Sequence, residues 1–137
     1  MVAYIDGGSR GNPGPAGYGV RIEDAAAVAV AELHGSLGVA TNNVAEYHGL
    51  LAALTWAADH GVTSLEIRSD SELLVKQMLG VYRFKNPGLQ PLHQKARQLA
   101  ARVGRVRFKH VRRELNKEAD RLANLAMDEA QGTGDGR

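Results

Sequence analysis

The chain contains no cysteine, which excludes disulfide bridges, thiolate zinc sites and iron–sulfur clusters. Any metal ion would have to be bound by oxygen or imidazole ligands. No apolar run approaches the roughly 20 residues that a membrane span requires, and no basic start is followed by an apolar stretch. From these absences we expect a cytoplasmic protein that does not interact with a membrane.

The net charge of +2 over 137 residues conceals a strong asymmetry along the chain. Residues 1–82 carry four basic and nine acidic side chains, whereas residues 83–121 carry twelve basic and three acidic side chains. An acidic half that holds metal ions and a basic segment that contacts phosphates would suit a polyanionic substrate. The alternative is that the lysines and arginines only solvate helix surfaces.

The hydrophobic pattern predicts one α/β domain over residues 1–130, with a mixed five-stranded sheet flanked by helices. We expect three antiparallel strands first and two parallel strands after them. Predicted strands cover residues 1–5, 18–23, 27–33, 64–68 and 106–110. Predicted helices cover residues 43–60, 71–79, 89–103 and 115–130, the last with Leu122, Leu125 and Ala126 facing inward. The Gly-rich, polar residues 131–137 are expected to be disordered.

Four acidic residues lie at predicted strand ends or on predicted helices, where the fold could bring them together: Asp6, Glu46, Asp70 and Asp120. A cluster of carboxylates without cysteine is the ligand set that hard divalent cations such as Mg²⁺ prefer. The pattern therefore favours metal-assisted phosphodiester chemistry.

Three of these carboxylates also have a purely structural explanation. Asp6 can cap a turn that begins at the following glycines. Asp70 can cap the helix that follows a strand. Glu46 stands three residues after Asn43, which is a close variant of a capping box.

Asp120 is harder to explain by local structure because Asp is a poor residue inside a helix. The structural alternative is a surface ion pair with Lys117 or Arg121. Asn116 and Asn124 flank Asp120 at four-residue steps and form a polar stripe that has no obvious role in a core.

Four segments carry a resemblance to a known family: residues 6–14 (DGGSRGNPG), 41–46 (TNNVAE), 69–71 (SDS) and 116–120 (NKEAD). In this order they resemble the motifs of type 1 ribonuclease H, over about residues 2–128. The Asn-Asn before the helical Glu and the Gly-Asn-Pro-Gly after the first Asp are similar to this family in particular.

The resemblance implies an endonuclease that hydrolyses the RNA strand of an RNA/DNA hybrid and leaves 5′-phosphate and 3′-hydroxyl ends. It implies two Mg²⁺ ions per site, with Mn²⁺ as a substitute, bound by Asp6, Glu46, Asp70 and Asp120. Asp6 would bridge the two ions. The implied partner is the hybrid, and no obligate protein partner is expected, so we predict a monomer.

The resemblance also implies a set of substrate contacts. Glycines in the first motif would let the backbone approach the nucleic acid closely, and Thr41 would bind a DNA phosphate. The expected contact residues are Gly7, Gly8, Ser9, Gly11, Asn12, Thr41, Asn42, Asn43 and Asn116.

The chain departs from many members of the family in two places. The long basic protrusion after the Asp70 helix is missing, and Arg83 and Lys85 are the residues that could replace part of it. The residue that assists proton transfer or product release would be His110, by its spacing from Asp120, or Arg113, by similarity to short-looped members. We prefer Arg113.

Three other functions fit parts of the sequence. A related nuclease acting on DNA would have the same fold as a ribonuclease H. A noncatalytic hybrid-binding module would have the same nucleic-acid-binding surface. Asp-Gly-Gly-Ser at residues 6–9 also occurs in sugar-kinase or actin-like phosphate sites, but the chain is too short for that two-lobed architecture.

Overall fold

A computed structural model describes residues 1–81 and 87–132 and confirms the predicted α/β architecture. The strands are β1 (Val2–Ser9), β2 (Gly14–Glu23), β3 (Ala29–Ala40), β4 (Ser64–Ser69) and β5 (Arg105–His110). The helices are α1 (Asn42–Asp59), α2 (Glu72–Met78), α3 (Gln90–Val103) and α4 (Lys117–Gly132). None of these helices combines the length and the apolar character of a membrane span.

The sheet has the order β3-β2-β1-β4-β5. Strands β1, β2 and β3 form an antiparallel meander, whereas β4 pairs parallel with both β1 and β5. The predicted order of three antiparallel and two parallel strands is confirmed. Because β1 and β4 are parallel neighbours, their carboxyl ends meet at the same edge of the sheet.

Helices cover the sheet on both faces, and β1 shows how the faces are divided. Ile5 is buried in the core with α1, and the next inward residue, Gly7, lies against the α1 backbone. Gly8 instead faces Met127 of α4, which packs across β1, β2 and β3. By the alternation of a strand, Asp6 shares the α4 face with Gly8.

Strand β1 is longer than predicted, because it continues through Asp6 and the two glycines to Ser9. Gly7 pairs with Tyr18 and Ser9 with Ala16, so the Gly-rich segment continues the hairpin with β2. Glycine in a strand often marks a place where another backbone comes close. Gly7 and Gly8 lie within the strand, so the turn predicted at these glycines is not formed there. The prediction that Asp6 ends the strand is therefore wrong.

The structure also excludes both capping explanations. The side chain of Thr41, not Asn43, accepts the Val44 amide at the start of α1. The side chain of Ser71, not Asp70, accepts a backbone amide at the start of α2. Glu46 and Asp70 are thus free of the capping roles that local sequence allows them.

Helix α4 begins two residues later than predicted, and Leu115 lies in a short 3₁₀ turn before it. Leu122 and Ala126 are buried as predicted, but Leu125 is 41% exposed, so its inward assignment is wrong. The face of α4 that meets the sheet passes through residues spaced three and four apart, and Leu125 lies beside it. Residues 131 and 132 belong to α4, and the rest of the predicted tail, residues 133–137, lies outside the described residues.

Candidate active site

Four carboxylates from four different elements converge in one pocket. Asp6 comes from β1, Glu46 from α1, Asp70 from the end of β4, and Asp120 from the first turn of α4. Asp6, Glu46 and Asp70 each offer an oxygen atom, and these atoms all lie within 4.8 Å of one another. Asp120 joins them through a hydrogen bond with Asp6.

The local structure explains how the first three carboxylates meet. Ile5 of β1 pairs with Ser69 of β4, so Asp6 and Asp70 are the next residues on two adjacent parallel strands. Gly7 has no side chain, which lets the backbone of α1 lie against β1 at residues 45 and 46. This close approach places Glu46 beside the two strand ends.

The pocket is rich in carboxylates, and Arg113 is the basic side chain among its described lining residues. Burial, followed by the charge of Asp70 and by the hydrogen bond with Asp120, raises the pKa of Asp6 to about 8. Burial also raises the pKa of Glu46 to about 7, although the Ser71 hydroxyl opposes this by hydrogen bonding to it. Among the described residues, no salt bridge involves any of the four carboxylates.

This result contradicts the structural explanation offered for Asp120. Arg121 pairs with Glu118 and Glu32 and not with its neighbour Asp120. Lys117 forms no ion pair in the described part of the chain. Partly buried carboxylates without a basic partner fit a divalent cation, because a bound cation would supply the missing positive charge.

Asn116 is one of the two asparagines that flank Asp120 in the polar stripe. Its side chain is buried, with 1% exposed, and Nδ2 donates hydrogen bonds to the Ile5 carbonyl at 2.8 Å and to Asp70 Oδ2 at 3.4 Å. Its carbonyl oxygen accepts the Asp120 amide. Asn116 therefore connects β1, Asp70 and the start of α4, which is a positioning role rather than an exposed substrate contact.

Asn124 and Met127 also line the pocket, and sequence reasoning did not name them as site residues. Asn124 Nδ2 donates to the Asp120 carbonyl at 2.9 Å, and its Oδ1 accepts Arg10 Nη2 at 3.2 Å. The four-residue spacing from Asp120 was a sequence signal for Asn124. Met127 had no such signal, because it belongs to the apolar pattern of α4.

The loop between β1 and β2 is joined to α1 by amide side chains. The backbone amide of Ser9 donates to Asn42 Oδ1 at 2.8 Å, and the backbone amide of Asn42 donates to Asn12 Oδ1 at 3.1 Å. Gly11 has a φ of +89°, which favours glycine. These bonds hold the predicted contact residues of the two motifs next to each other.

The other predicted contact residues fall into three groups. Gly7, Gly8, Ser9 and Asn42 line the carboxylate pocket. Asn12 and Asn43 are exposed nearby, and Thr41 caps α1. Arg83 and Lys85 lie outside the described residues.

The two candidates for an assisting residue are placed differently. Arg113 lines the same pocket as the four carboxylates. His110 ends β5 opposite Ser69, and it is not among the described residues that line the pocket. The geometry therefore favours Arg113.

Comparison with known proteins places these features in a family context. Residues 4–126 match the family model described as reverse transcriptase-like. The chain is 47% identical over 131 residues to the bifunctional protein Rv2228c of Mycobacterium tuberculosis, covering 95% of this chain and 36% of that protein. It is 44% identical over 128 residues to ribonuclease HI of Halobacterium salinarum, covering 93% of this chain and 64% of that protein.

Solved structures agree with these matches. The N-terminal RNase H domain of Rv2228c from M. tuberculosis superposes with a TM-score of 0.93 at 46% identity, covering 97% of this chain and 96% of that one. LC11-RNase H1, solved in complex with RNA/DNA hybrid, superposes with a TM-score of 0.90 at 43% identity, covering 95% and 98%. The chain thus spans about a third of its mycobacterial relatives and nearly all of these two structures.

Proposed function

Because the chain belongs to the type 1 ribonuclease H family, we propose that it is an endonuclease that hydrolyses the RNA strand of RNA/DNA hybrids. The products would carry 5′-phosphate and 3′-hydroxyl ends. The observation that carries this proposal is the convergence of four carboxylates, without a basic partner among the described residues, in one pocket.

The proposed cofactor is a pair of Mg²⁺ ions, for which Mn²⁺ can substitute. Asp6, Glu46 and Asp70 would hold the ions together with Asp120, and Asp6 interacts electrostatically with both Asp70 and Asp120. When bound, such ions activate a water molecule for attack and stabilise charge on the leaving 3′ oxygen.

The chain's own residues prepare the carboxylates for this role. The Asn116 amide holds one oxygen of Asp70, and the Ser71 hydroxyl holds Glu46. In the metal-free protein, Asp6 keeps a proton at neutral pH because its pKa is raised to about 8. Binding of a cation would favour release of that proton.

The choice of a hybrid rests on the groups around the pocket. Proteins distinguish RNA from DNA by contacts to the 2′-hydroxyl across the shallow minor groove. Gly7, Gly8 and Asn42 line the pocket beside the carboxylates, so residues of the first two motifs lie next to the proposed metal site. A relative of this family, LC11-RNase H1, has been solved with an RNA/DNA hybrid.

The experiment that tests this function compares end-labelled RNA/DNA hybrid, duplex RNA, duplex DNA and single-stranded RNA of one sequence. Each is incubated with Mg²⁺ or with EDTA, using the wild type and Asp70→Asn. We expect cleavage only of the RNA in the hybrid, and only with Mg²⁺ and Asp70 present, because Asp70 supplies part of the metal site.

Two results would contradict the proposal. Cleavage of duplex DNA would indicate a related nuclease of the same fold. Tight binding of the hybrid without cleavage, in Mg²⁺ and in Mn²⁺, would indicate a noncatalytic binding module.

A second prediction separates the two assisting residues. We expect Arg113→Ala to lower kcat by about 10- to 100-fold, because this side chain lines the carboxylate pocket. We expect His110→Ala to change kcat by less than about twofold, because its side chain does not line that pocket. Single-turnover cleavage of the hybrid measures both, and the reverse order of effects would give the role to His110.

We further propose that the protein works as a monomer in the cytoplasm. A cysteine-free sequence fits a reducing compartment. Sedimentation of the purified chain with and without hybrid would measure the stoichiometry directly.

A further inference from the structure

Strand β5 carries a row of exposed basic side chains on one face. Arg105, Arg107 and Lys109 are all exposed, whereas Val106 and Phe108 between them are partly buried against the core. Alternate residues of a strand lie on the same face about 6.6 Å apart, which is twice the rise per residue. The three charges, here called the β5 strip, therefore form a line about 13 Å long.

The β5 strip lies on the part of the sheet that α4 leaves accessible. Arg107 and Lys109 pair in register with Glu66 and Arg68 of β4, which are partly exposed on the same face. Helix α4 packs on β1, β2 and β3, on the other side of β4. The strip is thus open to a ligand that approaches this face.

The positive charge of the strip is only partly offset by its neighbours, because Lys109 and Arg107 help to lower the pKa of Glu66 but form no salt bridge with it. The one carboxylate in register with it, Glu66, already accepts a hydrogen bond from Arg68 Nε at 2.7 Å. In residues 1–81 and 87–132, no carboxylate oxygen lies within 4 Å of a strip nitrogen. Residues 87–113 contain eight lysines and arginines and no acidic residue.

The strip also points toward the candidate active site. The chain leaves β5 at residue 110 and reaches Arg113, which lines the carboxylate pocket, three residues later. Lys109 is the member of the strip nearest this end, and Arg105 is the farthest. A polyanion bound at the pocket could therefore continue along the strand.

We propose that the β5 strip binds the phosphate backbone of the hybrid beyond the base pairs held at the active site. This inference rests on the proposed function, which supplies the polyanionic ligand. Exposed lysines and arginines bind phosphates without reading sequence, and each neutralised phosphate makes binding more salt-dependent.

Phosphate contacts far from the reacting atoms have a specific kinetic signature. They are the same in the ground state and the transition state, so their loss raises KM and leaves kcat unchanged. They also require a substrate long enough to reach them. A hybrid of about 8 base pairs is roughly 25 Å long, whereas one of about 24 base pairs exceeds the expected diameter of the molecule.

The test compares wild type with the triple variant Arg105→Gln, Arg107→Gln, Lys109→Gln on hybrids of both lengths. The matched control is Lys95→Gln, Arg97→Gln, Arg102→Gln, which removes the same charge from exposed positions of α3. For the strip variant we expect KM on the long hybrid to rise about tenfold, with a salt dependence shallower by about 2 to 3 in logarithmic slope. KM on the short hybrid and kcat on both should change by less than about twofold.

Three results would overturn the proposal. The strip variant could match the control variant on the long hybrid, as it would if the strip binds an acidic protein or only solvates the sheet. KM could rise equally on the short and the long hybrid, which would show that the strip contacts the base pairs held at the active site and not those beyond it. The strip variant could also have a lower kcat and an unchanged KM.

Failure of the proposed function is distinguishable from failure of this inference. If wild type cleaves neither hybrid, the nuclease assignment fails, and the dissociation constants of the same variants for the two lengths still test the strip. Equal dissociation constants for the strip and control variants would then overturn it. Unchanged thermal unfolding of both triple variants verifies that the exposed substitutions leave the fold intact.

Discussion

Asp6→Asn is expected to lower hybrid cleavage by about a thousandfold while leaving the protein folded. Asp6 lies at the centre of the site, within ligand distance of Glu46 and Asp70 and in hydrogen-bond contact with Asp120. An amide would not provide the negative charge that Asp6 contributes to the proposed metal site, and losses of this size follow removal of a group that stabilises charge in a transition state. Single-turnover cleavage in Mg²⁺ measures the effect.

The same variant should change how stability depends on pH in EDTA. The pKa of Asp6 is raised from about 4 to about 8 in the folded state, so folding is favoured when Asp6 is protonated. The stability that protonated Asp6 gives the folded state is fully present below about pH 4 and is lost as the pH rises toward 8. Between pH 5 and pH 8, we expect Asp6 to reduce the stability of the metal-free wild type by about 4 kcal/mol.

Asn imitates the protonated form of Asp6, so Asp6→Asn should flatten this pH dependence. The control is Asp59→Asn, which removes an exposed carboxylate at the far end of α1. Urea unfolding at both pH values, with EDTA and with Mg²⁺, provides the measurement. A variant that keeps full activity, or that loses as much stability with pH as wild type, would contradict this account of the site.

Gly7→Ala is expected to destabilise the fold by at least about 3 kcal/mol and to abolish activity with it. A Cβ at this position would lie 2.3 Å from the carbonyl carbon of Ala45 and 2.5 Å from the amide nitrogen of Glu46. Both atoms belong to the α1 backbone, which cannot rotate away, so α1 would have to move off β1. That movement would carry Glu46 away from Asp6 and Asp70.

The neighbouring glycine supplies a matched control. A Cβ on Gly8 would be 3.5 Å from Met127, which is ordinary van der Waals contact at the end of a flexible side chain. Gly8→Ala should therefore change the free energy of unfolding by less than about 1 kcal/mol. Equal effects of the two substitutions in urea unfolding would show that the close approach of β1 and α1 does not exclude a side chain at position 7.

Sequence pattern alone determined the architecture and the identity of the four carboxylates. Alternating apolar residues indicated strands, and apolar residues three and four apart indicated helices, because burial of one face imposes these periods. The motifs around Asp6, Glu46, Asp70 and Asp120 then matched one family in order. These signals are local, so they can be read without knowing how the elements pack.

Local signals failed where packing against a distant segment decides the structure. Glycines at positions 7 and 8 indicated a turn, but their lack of side chains allows β1 to continue between α1 and α4. Asn43 and Asp70 had the chemistry of caps, but Thr41 and Ser71 took those roles. Several residues of a short segment can cap a helix, and sequence does not choose among them.

Only the tertiary structure decided how the site is assembled. The parallel pairing of β1 and β4 brings Asp6 beside Asp70, and α4 adds Asp120 from more than a hundred residues away. The tertiary structure also placed Arg113 in the pocket and His110 outside it, whereas the sequence had left both as candidates for the assisting residue. Sequence reveals which side chains are present, whereas the raised pKa of Asp6 and the contacts of Asn116 depend on burial and proximity, which exist only after the chain has folded.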